Sequence, residues 1–104
     1  MEDDYYFTFN YEAGTTKILY NKNKTIQSLL EKFLIETNSK MILDTNKITF
    51  VNKSKLINNS NVLSQKIHEL FKPRKIKNKE GKEQIDKNFS IKVIETEFII
   101  GGIK

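Results

Sequence analysis

The side chains able to make or break bonds are few. There is one histidine, His68, and no cysteine. Thiol nucleophiles, disulfide frameworks and Cys-based zinc sites are excluded. A His-based metal site or a Ser-His-Asp triad has only one imidazole to draw on. His68 lies in a short apolar-patterned stretch and reads as a surface or packing residue. No catalytic residue, metal ligand or cofactor is expected, and the chain does not read as an enzyme. Gly101-Gly102 near the end is the remaining candidate. Two residues without side chains can thread a narrow channel in extended form. That suits activation of a C-terminal carboxylate by an adenylating enzyme, or cleavage by a processing protease. It also suits a flexible tail or a linker.

The 104 residues fit one domain. Hydrophobic residues make up 38% and charged residues 30%, which is globular and on the polar side. The formal net charge is +5, but 17 of the cations are lysines and Arg74 is the single arginine. With 14 Ile and 11 Asn beside them, the lysines read first as AT-rich coding bias. Arginine is the usual bidentate reader of phosphates and guanines, so nucleic acid is disfavoured as a partner. No apolar run approaches the roughly 20 residues needed to span a bilayer. Met1-Glu2-Asp3-Asp4 begins no signal peptide. The expectation is a soluble domain of the cytoplasm or nucleus, with no membrane partner.

The elements that must carry these residues follow from periodicity. Tyr5-Tyr6-Phe7-Thr8-Phe9-Asn10 alternates, with Tyr5, Phe7 and Phe9 on one face and Tyr6, Thr8 and Asn10 on the other. Gly14 supplies a turn, and Thr16–Tyr20 forms a second strand with Ile18 and Tyr20 inward, making a hairpin. Thr25 reads as a helix N-cap, followed by Ile26, Leu29, Leu30, Phe33 and Leu34 at helical spacing. The helix should fade near Thr37-Asn38-Ser39. Met41-Ile42-Leu43 is a short apolar link, Lys47–Val51 a third strand, and Lys55–Ile57 a very short strand. Asn58–Asn61 is a loop, and Val62–Phe71 a single short helix or 3₁₀ turn stopped by Pro73. Lys72–Asn88, with seven basic and three acidic residues, reads as an exposed loop. Phe89–Ile94 is the last strand, expected beside the first and parallel to it. The aromatic residues Tyr5, Phe7, Phe9, Phe33, Phe50 and Phe89 are expected in the core.

In this order the elements resemble the ubiquitin-like, β-grasp family. Phe7–Asn10 with Gly14 looks like its first hairpin, and Thr25-Ile26-x-x-Leu29-x-x-x-Phe33 like its capped helix. Lys47-Ile48-Thr49-Phe50-Val51-Asn52-Lys53 is similar to its Arg-Leu-Ile-Phe-Ala-Gly-Lys strand and turn. Leu56, Leu63-Ser64 and Phe89–Ile94 follow in order, and Gly101-Gly102 is similar to the conjugation signature. The match covers about residues 5–102. It implies an α+β fold, a ubiquitin-like β-grasp roll whose mixed four- to five-stranded sheet packs on one main helix. Residues 1–104 would be a single domain, with 72–88 an inserted basic loop and 95–104 a C-terminal tail.

The resemblance also implies function. Ile103-Lys104 would be removed and the Gly102 carboxylate joined to target amines through activating and conjugating enzymes, after a processing protease has cut. Gly101 would supply flexibility. The surface read by partners in the family is the outward face of the third and last strands, which here carries Thr49, Lys92 and Ile94. Phe98-Ile99-Ile100 would either dock on a partner or extend the last strand. Glu97-Phe98-Ile99-Ile100 stands where the family has arginines before its Gly-Gly. Lys53 resembles the family's chain-linkage lysine and reads as a solvated turn residue. Two alternatives stay open: a non-conjugated ubiquitin-like protein-interaction domain, and a sulfur carrier ending in a thiocarboxylate.

Overall fold

The computed structural model describes residues 3–37 and 48–95. The aromatic alternation forms β1 (Asp4–Tyr11), paired antiparallel with β2 (Gly14–Asn21) from Asp4 opposite Asn21 to Tyr11 opposite Gly14. Gly14 takes φ +156, which side-chain-bearing residues rarely adopt. Tyr5, Phe7, Phe9 and Ile18 are buried, and Tyr20 packs against them.

Helix α1 spans Ile26–Glu36. The Thr25 hydroxyl accepts from the Ser28 N–H at 3.2 Å, satisfying a backbone donor that the first turn would otherwise orphan. The apolar stripe closes one face of the sheet: Ile26, Leu29, Leu30, Phe33 and Leu34 are all buried. Phe33 stacks on Phe9 at 4.4 Å between ring centroids and meets Phe50 edge-on at 5.7 Å.

β3 (Ile48–Asn52) turns into β4 (Lys55–Leu56) through Lys53 and Ser54, whose φ values of 50 and 66 are those of a tight type I′ hairpin turn. The following residue, Ile57, donates its N–H to the Phe50 carbonyl at 2.9 Å. Asn58 is 2% exposed. Its Oδ1 accepts from the Phe50 N–H at 3.1 Å, and its Nδ2 donates to the Ile48 carbonyl at 2.9 Å. A side-chain amide thereby continues the ladder along β3. The expected Asn58–Asn61 loop thus hides a buried structural residue.

The expected single helix over residues 62–71 is instead two short ones, α2 (Ser60–Leu63) and α3 (Ile67–Leu70). The break is caused by long-range pairing. Ile26 N–H donates to the Gln65 carbonyl at 2.9 Å, and Ile67 N–H to the Lys24 carbonyl at 2.8 Å. Backbone groups spent on the approach to α1 cannot also close helical turns. Ile67 and Phe71 are buried, while Leu63 and Leu70 pack partly against the core.

The expected exposed loop is also corrected. It is a hairpin of β5 (Arg74–Lys77) and β6 (Glu83–Asp86), forming a separate two-stranded sheet. Asn78 organises its turn: Oδ1 accepts from the Glu80 and Lys82 N–H groups, both at 2.9 Å, and Gly81 sits at φ +80. The hairpin is exposed on both faces.

β7 (Asn88–Glu95) runs parallel to β1 and antiparallel to β3, giving the order β2-β1-β7-β3-β4. The fold is the α+β ubiquitin-like β-grasp. Phe89 is half-buried, and the other five expected core aromatics are buried. Among the described residues no helix is long and apolar enough to cross a membrane. The link Met41-Ile42-Leu43 and the end of the expected helix at Asn38-Ser39 lie outside the described residues.

Candidate protein-binding face

Strand alternation sends every second side chain away from α1. On β7 these are Asn88, Ser90, Lys92 and Ile94; on β3, Thr49 and Val51; on β1, Tyr6, Thr8 and Asn10; on β2, Lys17 and Leu19. Register joins them across the sheet. Thr49 lies opposite Ile94, and Lys92 lies between Asn10 on one side and Val51 on the other. The three expected surface residues therefore share one corner: Lys92 and Ile94 exposed, Thr49 half-buried. Asn52 pins β3 to β7 below this corner, its Nδ2 donating to the Ser90 carbonyl at 2.9 Å.

Tyr6 and Leu19 lie opposite each other at the other end of the face. They are 53% and 50% exposed, more than Ile94 at 38%. Their position follows from the alternation that sends Tyr5 and Ile18 inward, yet neither stood among the expected partner-binding residues. The signal was an aromatic on the outward phase of an otherwise polar set. Along β7, the rows of Asn88 and Ile94 are about 20 Å apart at about 3.3 Å per residue. The face thus has two apolar ends and a polar middle of Thr8, Lys17, Ser90, Asn10 and Lys92.

A cavity of about 680 Å³ borders the Ile94 end, between the turn after β1 and the end of β7. Tyr11, Ala13, Val93 and Ile94 give it apolar walls, with Glu12, Glu95 and Lys92 as charged groups at the same wall. Tyr11 is oriented by a 2.8 Å hydrogen bond between its hydroxyl and Thr16 Oγ1.

Among the described residues no group of His, Cys, Asp or Glu could hold a metal ion. His68 is half-buried on α3, its backbone N–H on the Lys22 carbonyl at 3.1 Å. Gly101, Gly102, Phe98, Ile99 and Ile100 lie outside the described residues.

No protein-family model matches the sequence, and no curated protein matches it. The fold has solved counterparts. Two structures of the ubiquitin-like domain of the Arabidopsis thaliana protein At2g32350 align over 89% of this chain, at 12% identity. One, a solution NMR structure, has a TM-score of 0.59 with 78% of its chain covered. The other combines evolutionary couplings with sparse NMR data, and has a TM-score of 0.60 with 87% covered. At that identity the likeness is one of fold: this chain has the architecture of a ubiquitin-like domain.

Proposed function

We propose that the chain is a protein-interaction domain of ubiquitin-like fold, read by partner proteins through the outward face of its sheet. The observation supporting this is the Tyr6–Leu19 pair, half-exposed on a sheet whose opposite face is closed by α1. Aromatic and aliphatic anchors within a polar surround are what protein-binding surfaces offer, with tyrosine enriched among the residues that dominate binding. Ile94, Thr49 and Lys92 supply a second contact point beside the cavity.

Gly101-Gly102 supports a second reading. In it the chain is a ubiquitin-like modifier, or one unit of a precursor, processed after Gly102 and conjugated to target amines. Its partners would be activating and conjugating enzymes, a processing protease and target proteins. The thioester sulfur would belong to those enzymes, so a modifier without cysteine is chemically complete. Phe98-Ile99-Ile100 would then enter the enzymes' channels with the glycines.

One experiment separates the readings. The tagged full chain, a Tyr6→Arg/Leu19→Arg variant and a Gly102→Ala variant are expressed in the native cell, and bound proteins and covalent adducts are identified by mass spectrometry. An interaction domain gives partners that survive Gly102→Ala, are lost with the face variant, and dissociate on denaturation. A modifier gives denaturation-resistant adducts, loss of Ile103-Lys104, and abolition by Gly102→Ala. Retention of every partner by the face variant overturns the first reading.

A further inference from the structure

The net charge is concentrated in one part of the molecule: residues 72–88 hold seven basic and three acidic side chains. The fold brings the root of that segment against the β3–β4 turn. Two adjoining crevices form there, of about 270 and 230 Å³, sharing Asn52, Lys53, Lys72 and Phe89. The first also has Lys55 on its rim and Leu70 and Phe71 in its wall; the second adds Arg74, Asp86, Asn88 and Ser90.

The charges are unbalanced. Lys53, Lys55 and Lys72 are exposed, and none has a carboxylate within 4 Å among the described residues. Asp86, the one acidic residue in the walls, is already committed. Its Oδ1 accepts from the side-chain amide and backbone N–H of Asn88, both at 3.0 Å, and Arg74 lies 3.7 Å from Oδ2. The floor is apolar and firm: Phe71 is 2% exposed, with Phe89 against it at 5.1 Å between rings. The rim is fixed too. Lys53 is held at φ 50 in a two-residue turn, and Asn52 ties that turn to β7.

We propose that this crevice, between the β3–β4 turn and the root of the β5–β6 hairpin, docks a short acidic peptide segment carrying a large apolar side chain. The apolar side chain rests on Leu70 and Phe89, which the buried Phe71 backs, while flanking carboxylates meet Lys53, Lys55 and Lys72. A nucleic acid fits less well. Within the crevice Phe89 is only half-exposed, packed against Tyr5, Phe7 and Phe71, which leaves an edge for an apolar side chain but no free ring face on which bases could stack. Only Arg74 could clamp a phosphate bidentately, and Asp86 holds it. The site borders the outward sheet face at Asn88 and Ser90 but has its own lysines, and it stands whichever reading of that face holds.

The test is selection of a displayed library of short random peptides on the full chain. Binding is then measured by NMR titration and fluorescence anisotropy, with single-stranded DNA and poly-glutamate as further probes. Enriched peptides should combine several Asp or Glu with Leu, Ile, Phe or Met, and should shift the amide signals of Asn52–Lys55 and Leu70–Arg74. Lys53→Glu/Lys72→Glu should weaken them about tenfold or more, and added salt should weaken wild-type binding. Lys53→Gln/Lys72→Gln, which removes the charge without reversing it, should give a smaller loss in the same direction. Peptides without acidic residues, signals moving only on the outward sheet face, or DNA or poly-glutamate binding as tightly as the best peptide would each overturn the proposal.

Discussion

Removing the Asn58 side chain should be among the costliest small changes in this protein. Asn58→Ala leaves the Phe50 N–H and the Ile48 carbonyl without the partners they have now, at 3.1 and 2.9 Å. Each buried unpaired group costs about 1–3 kcal/mol, and water admitted by the smaller side chain recovers part of it. A net loss of about 2–4 kcal/mol is expected, a large share of the ordinary 5–15 kcal/mol of domain stability. Urea unfolding followed by far-UV circular dichroism should show a lower midpoint with an unchanged slope. Asn59→Ala is the control. It removes only the α2 cap on the Val62 N–H, and should cost about 1 kcal/mol. Asn58→Asp is more discriminating. One carboxylate oxygen can still accept from Phe50, but the other confronts the Ile48 carbonyl, which only a donor satisfies. The buried aspartate's pKa is therefore raised by folding. Such a group stabilises the fold below its unfolded pKa of about 3.9, and that stability is lost as pH rises through the raised folded value. The variant should thus gain on the wild type as pH falls toward 4. If Asn58→Ala cost less than about 0.5 kcal/mol, or Asn58→Asp showed no such recovery, the ladder-extension argument would be wrong.

Two further outcomes are expected from the hairpins. Ser54→Gly should stabilise the β3–β4 turn by up to about 1 kcal/mol, because φ 66 penalises a side chain and suits glycine; thermal unfolding would show a raised Tm. At Asp86, hydrogen bonds from the Asn88 side chain and backbone, and then Arg74, hold the carboxyl below its ordinary value. The contribution is present above the unfolded carboxylate range and is lost as pH falls through the lowered value. The Asn88 amide signal should therefore shift with acid at a pH below that range in the wild type, and show no such step in Asp86→Asn. A wild-type step at or above the ordinary aspartate range would contradict this.

Legibility in the sequence depended on whether the cause was local. The α1 helix could be read because its cap, Thr25, and its stripe from Ile26 to Leu34 lie within one short window. The β1–β2 hairpin and the outward phase of Thr49, Lys92 and Ile94 followed from alternation, though their choice as a site came from family resemblance. The division of 62–71 into α2 and α3 could not be read, since it is enforced by Lys24 and Ile26 far earlier in the chain. The β5–β6 hairpin was missed for the opposite reason. Both of its faces meet solvent, so it carries no inward apolar phase, and only Gly81 and Asn78 betray its turn. Asn58 resembled every other loop asparagine here. Its role comes from where β3 ends, not from its neighbours in sequence.

The placement of β7 between β1 and β3 has a consequence for synthesis. Tyr6 pairs in register with Asn88, so the centre of the sheet is assembled from the two extremes of the described chain. Until the last strand leaves the ribosome, β1 has β2 on one side and an open, aromatic-rich edge on the other. No earlier strand can substitute, because β3 reaches the sheet only through β7. Until then the short α1 segment and the β1–β2 hairpin lack the strand that completes their core, and neither is stable alone, so ordering should come as one late event.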